Sequence, residues 1–350
     1  MDIAITIGKN CIGTHEKVYI IAELSANHNQ NFDQAVELIK AAKDAGADAV
    51  KLQTYTQDTL TINCDNKYFT IGKGTIWEGK NLYDLYGEAY TPWEWQPKLK
   101  KIANNLGLDL FSTPFDSTSV DFLEKMDVPA YKVASFEIVD IPLIQKIAQT
   151  GKPIILSTGM ASLSEIDEAV QAIHGEGNSQ IALLKCTSAY PALPEEMNLK
   201  TIPHLAEAFQ VPTGLSDHTL GIAAPVAAVT LGACIVEKHF TLSRSVPGPD
   251  SSFSLEPPEF RAMVDAIRQT EKSLGQVRYE VSEHEKASRV FRRSLFVVKD
   301  LKKGEVFSTD NIRSIRPGYG LPPKNIDIIV GRKASGNIIR GTPLTWEMIE

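Results

Sequence analysis

Short apolar runs separated by longer amphipathic stretches set the rhythm of this chain. Runs at residues 18–23, 49–53, 108–112, 130–134, 153–157, 181–185, 213–216 and 234–238 are too short for helices, which predicts eight buried strands. Between them apolar residues recur at helical spacing. Residues 32–45 show this well, with Gly46 placed to end the helix in a left-handed conformation. Strand and helix alternating in this way predict an α/β fold, a TIM (β/α)8 barrel over residues 1–275, rather than an open doubly wound sheet. No G-x-G-x-x-G motif follows the first strand, which removes the main argument for a dinucleotide site.

After a last helical stretch at 258–274 the pattern changes. Residues 276–292 are dense in charge and are expected to be a linker. From 293 to 350 short β-like runs alternate with turn residues, which predicts a small β-rich C-terminal domain. About sixty residues bury little apolar surface alone, so this domain is expected to lean on the barrel or on a second copy of the chain.

Composition narrows the class. With 43% hydrophobic residues and no apolar run near twenty, the chain has material for a large core and no expected membrane span. Its start, Met1-Asp2-Ile3-Ala4, lacks the basic and apolar segments of a secretory signal. Cys11, Cys64, Cys186 and Cys234 are scattered, which fits reduced thiols and a cytoplasmic location. A net charge of −7 argues against a nucleic-acid partner.

Polar residues collect where the predicted strands end, the face on which barrel enzymes build their sites. Lys51, Lys132 and Lys185 lie within or at the ends of apolar strands, where a buried ammonium requires an anion. With Ser135, Ser157 and Ser216 at other strand ends, they predict a cradle for a phosphate or carboxylate. His218 and His239 close two successive repeats and so are expected at one end of the barrel. Paired imidazoles there suit a divalent metal, and the alternative is two hydrogen-bonded histidines capping their strands. Glu23 and Glu137 remain as acid or base candidates. The long gap between the second and third strands carries Tyr55, Tyr68, Trp77, Tyr86, Trp93 and Trp95, which predicts either a lid over the mouth or a satellite hydrophobic cluster. These parts describe metal-assisted addition of a small phosphorylated anion to a carbonyl.

The motifs Ile21-Ala-Glu-Leu-Ser-Ala-Asn-His28, Lys51-Leu-Gln-Thr54, Phe111-Ser-Thr-Pro-Phe115, Tyr131-Lys-Val-Ala-Ser135, Leu156-Ser-Thr-Gly159, Leu215-Ser-Asp-His218, Glu237-Lys-His-Phe240 and Pro247-Gly-Pro-Asp250 occur in this order. Together they resemble the bacterial sialic acid synthase family over almost the whole chain, and the tail resembles an antifreeze-like SAF domain. The resemblance implies condensation of phosphoenolpyruvate with an N-acetylated aldose to a nine-carbon 2-keto acid and phosphate. It implies Mn²⁺ or Mg²⁺ on His218 and His239, and phosphoenolpyruvate on Lys51, Thr113, Lys132, Ser135, Ser157 and Ser216. Glu23, Gln53, Glu137 and Asp250 fall at catalytic positions, and Tyr190, Ser188, Asp250 and Arg316 at sugar positions. A domain-swapped homodimer is implied too, with Arg316 reaching the site from the partner.

Some positions depart from the N-acetylneuraminate branch. The chain has Cys186-Thr187-Ser188 where that branch reads Cys-Thr-Asn, Ser251 after Asp250 where a histidine is common, and Phe136 in place of a glycine. These departures resemble a branch whose aldose is 2,4-diacetamido-2,4,6-trideoxy-L-altrose, and a larger Phe136 suits a less hydroxylated sugar. The N-acetylneuraminate and legionaminate branches remain as alternatives. More remote are a sugar-binding protein without catalysis and a tail that binds ice.

Overall fold

A computed structural model of the protein describes residues 3–350, so the part of the N-terminal reading that rests on Met1 and Asp2 lies outside it. The chain divides into two compact units, one ending at Gly275 and one spanning Gln276–Glu350. In the first, a closed barrel forms from β3 (Tyr19–Glu23), β4 (Ala49–Thr54), β5 (Asp109–Pro114), β6 (Tyr131–Val133), β7 (Ile154–Ser157), β8 (Ile181–Cys186), β9 (Thr213–Asp217) and β10 (Ile235–His239). All eight expected strands are present, each parallel to its neighbours, and β10 closes onto β3 with His239 beside Glu23. Burial on both faces explains their near-continuous apolar character.

The helices stop and start where the sequence supplies the means. Asn31 caps the helix Phe32–Asp44 by accepting from the Gln34 N–H, and Gly46, at φ 93°, turns the chain out of it. Asp116 and Ser162 form capping boxes on the helices Ser117–Lys125 and Leu163–Gly175.

The hydrophobic pattern did not announce the antiparallel hairpin of β1 (Ala4–Ile7) and β2 (Asn10–Gly13). Four-residue strands carry too few alternations to stand out. The hairpin buries Ile5, Ile7 and Ile12 in the main core. Asn10 donates to the Asp109 carboxylate where β5 begins, which fastens the hairpin to the N-terminal end of the barrel, and Tyr19 of β3 donates to the same carboxylate.

The second unit pairs β11 (Ser294–Val297) with β12 (Ile312–Ile315) in antiparallel register. Isolated bridges such as Val306 to Lys333 and Leu301 to Ile338 complete a β-rich body around Leu295, Val297, Phe307, Ile312 and Leu344. The stretch expected as a linker holds a helical turn, Glu283–Lys286, capped by Ser282, and a 3-10 turn, Ala287–Phe291. Of its charged residues, Glu285 closes the capping box with Ser282, which a charge count alone does not reveal.

Candidate active site

Strand periodicity explains which side chains meet at the C-terminal mouth of the barrel. Successive residues face opposite sides, so Glu237 and His239 share one face of β10 while Lys238 takes the other. Lys238 lies fully buried against the Asp217 carboxylate at 2.5 Å, a structural ion pair outside the barrel interior. The alternation in Ser216-Asp217-His218 likewise sends Ser216 inward and Asp217 to Lys238.

Inside, Lys51 is the hub. Its Nζ lies 2.9 Å from Glu23 Oε2, 3.4 Å from Glu237 Oε1 and 3.4 Å from Thr113 Oγ1. Gln53 donates to Glu23 Oε1 at 3.0 Å, and Ser216 donates to Glu237 Oε1 at 3.2 Å. All of these groups except the partly open Gln53 are buried. Burial pushes the Glu23 carboxyl up to about 7 against the pull of Lys51, and Lys51 together with Lys132 holds Glu237 below the usual range in spite of its burial. Lys51 is raised because its two carboxylates outweigh its own desolvation.

Lys132 forms the second cationic point, donating to Ser157 Oγ at 2.6 Å and to the Val133 carbonyl at 2.8 Å. Burial lowers it to about 8. Ser135 stands beside it, accepting from the Gly159 N–H at 3.0 Å. A Cβ at Gly159 would come within 2.6 Å of Ser135 Oγ and collide with Ser188 Oγ, so glycine lets the backbone close on the cradle. Lys185, the third expected lysine, donates to the Cys186 carbonyl, as Lys132 does to that of Val133, and to Thr187 Oγ1.

The rings of His218 and His239 have centroids 5.3 Å apart, within the roughly 6 Å that bonds of about 2 Å to one ion permit. His218 Nδ1 is oriented by the Thr187 carbonyl at 2.9 Å, which leaves Nε2 available. His239 Nδ1 is buried and finds no hydrogen-bond partner among the described residues, and burial with nearby His218, Lys51 and Lys238 drives its pKa well below the ordinary value. A neutral imidazole with an orphaned nitrogen suits a metal. Among the described residues no group of three or more His, Cys, Asp and Glu is placed to hold a metal ion, so an ion on these two rings would complete its coordination with other oxygens.

Glu137 has a buried Oε2 without a partner among the described residues, and burial pushes its carboxyl up to about 7. Asp250 is fixed by Ser25 Oγ, with the Ala26 N–H at 3.4 Å. Ser25 reaches it from a left-handed backbone, φ 46°, a strained turn for a residue other than glycine. Tyr190 packs in tilted contacts on His218, with ring centroids 4.5 Å apart, and on Phe253, at 5.2 Å. Ser188 sits 3.8 Å from Cys186 Sγ, which in turn is 3.9 Å from His218 Nδ1. Arg316 belongs to the second unit, on the turn after β12.

The aromatic excursion divides between two surroundings. Trp77 packs against Tyr190 at the mouth, whereas Trp93 packs on Phe122 and Trp95 on His28 and Phe32 as a satellite cluster. Phe136 is 57% exposed and does not fill the interior, so its bulk lies at the rim. Two interior groups had no assigned role in the sequence reading, Glu237 and Cys186. The alternation that placed His239 inward also marks Glu237, and that signal was available.

The NeuB family model matches residues 38–279, and the SAF domain model matches 292–350. A pseudaminic acid synthase from Campylobacter jejuni is 49% identical over 95% of this chain and 96% of its own length. One from Helicobacter pylori is 47% identical over 95% and 97%. Among solved structures, the N-acetylneuraminic acid synthetase of Leptospira borgpetersenii superposes with a TM-score of 0.73 at 33% identity, covering 82% of this chain and 95% of that one. A family match across most of the barrel, joined to relatives aligned nearly end to end, leaves one assignment: the chain belongs to the NeuB family and carries a SAF domain at its C-terminal end.

Proposed function

We propose that this chain is a pseudaminic acid synthase, condensing phosphoenolpyruvate with 2,4-diacetamido-2,4,6-trideoxy-L-altrose to give pseudaminic acid and phosphate. The near-full-length similarity to two pseudaminic acid synthases carries this reading. N-acetylneuraminate and legionaminate synthesis are the neighbouring activities against which it is tested.

In this reading Lys51, Lys132, Thr113, Ser135, Ser157 and Ser216 hold the phosphate and carboxylate of phosphoenolpyruvate. The buried lysines supply charge-assisted bonds that water does not weaken. His218 and His239 would hold Mn²⁺ or Mg²⁺, which when bound polarises the aldehyde oxygen of the open-chain sugar. Carbon 3 of phosphoenolpyruvate bonds to the aldehyde carbon, water adds at carbon 2, and the C–O bond to phosphate breaks. Glu137 and Glu23, both raised to about 7, are poised to give or take protons at neutral pH. Gln53 holds Glu23 in place, and Asp250, Tyr190 and Ser188 face the sugar. Arg316 is assigned to the sugar of a neighbouring subunit in a domain-swapped homodimer, and the enzyme to the cytoplasm, where no membrane helix is required. Among the described residues no helix is long and apolar enough to cross a membrane.

The test is product mass after incubation with phosphoenolpyruvate, Mn²⁺ and each candidate aldose in turn. The expected product is pseudaminic acid with equimolar phosphate. Turnover of N-acetylmannosamine alone would refute the assignment, and ligand binding with no phosphate released would leave a sugar-binding protein.

A further inference from the structure

Of the nine residues 72–80, all but Trp77 are exposed. Trp77 is half-buried because it reaches across the barrel mouth. Its indole packs on Tyr190 in a tilted contact, centroids 5.5 Å apart and ring planes at 55°, and its Nε1–H donates to the Pro249 carbonyl at 3.0 Å, one residue before Asp250. Tyr190 in turn lies between Trp77 and the two imidazoles, 4.5 Å from the His218 ring and 6.4 Å from that of His239, and it packs on Phe253. Trp77, Tyr190 and Phe253 therefore form one aromatic wall that starts at the imidazole pair and leads out of the barrel.

We infer that Trp77 is a specificity-determining residue for the aldose, its indole face receiving the deoxygenated C6 end of the sugar. The inference rests on the proposed function and deepens it. A six-carbon chain whose C1 oxygen is held beside His218 and His239 must run outward past Tyr190 to the next layer, which is Trp77. The indole has a single polar atom, and the Pro249 carbonyl already occupies it, so the ring offers carbon only. A C6 methyl packs there without loss, whereas a C6 hydroxyl gives up water and finds no partner. The same Nε1–H···O bond ties the 61–81 excursion to the loop that carries Asp250, so the wall and the sugar-facing carboxylate are set by one contact. Discrimination of this kind in an apolar pocket reaches about ten- to a hundred-fold.

The experiment compares wild type, Trp77→Phe and Trp77→Ala in steady-state kinetics with the 2,4-diacetamido-2,4,6-trideoxy aldose and with its 6-hydroxy counterpart, alongside KM for phosphoenolpyruvate. Trp77→Ala is expected to raise the aldose KM about tenfold, leave the phosphoenolpyruvate KM within twofold, and lower the preference for the 6-deoxy sugar about tenfold. Trp77→Phe, which keeps a ring on Tyr190, is expected to recover part of the preference. A preference for the 6-deoxy sugar that Trp77→Ala leaves unchanged would overturn this inference alone, as would equal rises in both KM values, the mark of a structural role. A wild-type enzyme that uses only 6-hydroxylated aldoses would overturn the proposed function itself, and with it the methyl contact.

Discussion

Replacing Lys51 with Met removes the only ammonium lying between Glu23 and Glu237 in the described structure while keeping most of the side-chain volume. At 2.9 and 3.4 Å, and with an effective dielectric of about 20, the two attractions amount to about 6 and 5 kcal/mol before desolvation is counted. Desolvation of three buried charges cancels much of that. The net cost of deleting one partner from a buried pair is about 3–5 kcal/mol. The variant is therefore expected to lose about that much stability at pH 8. Proton uptake lowers the cost at acidic pH, and the sign follows from Glu23. Its folded pKa, about 7, already exceeds the unfolded value of 4.5, so its ionisation weakens the fold progressively between those limits. Without Lys51 the folded value moves higher still, and the penalty keeps growing above pH 7. The deficit against wild type should widen from pH 6 to pH 8. Urea titrations at both pH values, followed by the fluorescence of the barrel tryptophans, measure it. A deficit under about 1 kcal/mol, or one equal at the two pH values, would refute the argument that Lys51 neutralises two buried carboxylates. The same variant should bind phosphoenolpyruvate about ten- to a hundred-fold more weakly, the worth of a charge-assisted contact.

His239→Ala is expected to abolish metal-stimulated phosphate release while the circular dichroism spectrum and melting temperature stay close to wild type; retained activity would exclude the paired-imidazole metal site. Glu137→Gln should remove the ionisation near pH 7 from the kcat profile. Because burial raises the folded pKa from 4.5 to about 7, wild type loses stability as pH rises through that interval, so the variant should be more stable by about 1–3 kcal/mol at pH 8 and equal to wild type at pH 4 in thermal melts. Arg316→Ala should raise the aldose KM and spare that of phosphoenolpyruvate. Mixing it with His239→Ala subunits should restore activity if the arginine acts across a dimer, and no restoration would place it in its own subunit or nowhere near the sugar.

The order and number of barrel strands were legible because burial on both faces of a parallel sheet writes itself as apolar runs, and eight such runs separated by helices close in few ways. The strand-end residues were legible for the same reason: a barrel delivers every strand end to one mouth, so Lys51, Lys132, Ser157, His218 and His239 had to gather there. Which of the lysines share one cradle was not legible. Lys185 occupies the same type of position as Lys132 and makes the same bond to the next residue's carbonyl, but its hydroxyl partner is Thr187 just past β8, whereas Lys132 reaches Ser157 on the neighbouring strand. Nor could spacing separate Trp77 from Trp93 and Trp95. All three lie in one aromatic-rich excursion, yet one closes on Tyr190 and the others pack against outer helices, a choice made by how the loop folds back. Sequence alone therefore determined the barrel and the chemistry gathered at its mouth, because side-chain period and burial are local properties of a strand. Tertiary structure decided the partners, the hub at Lys51, the Asp250 clasp and the Trp77 wall, because those contacts join residues from 28 to 225 positions apart through geometry that no local pattern encodes.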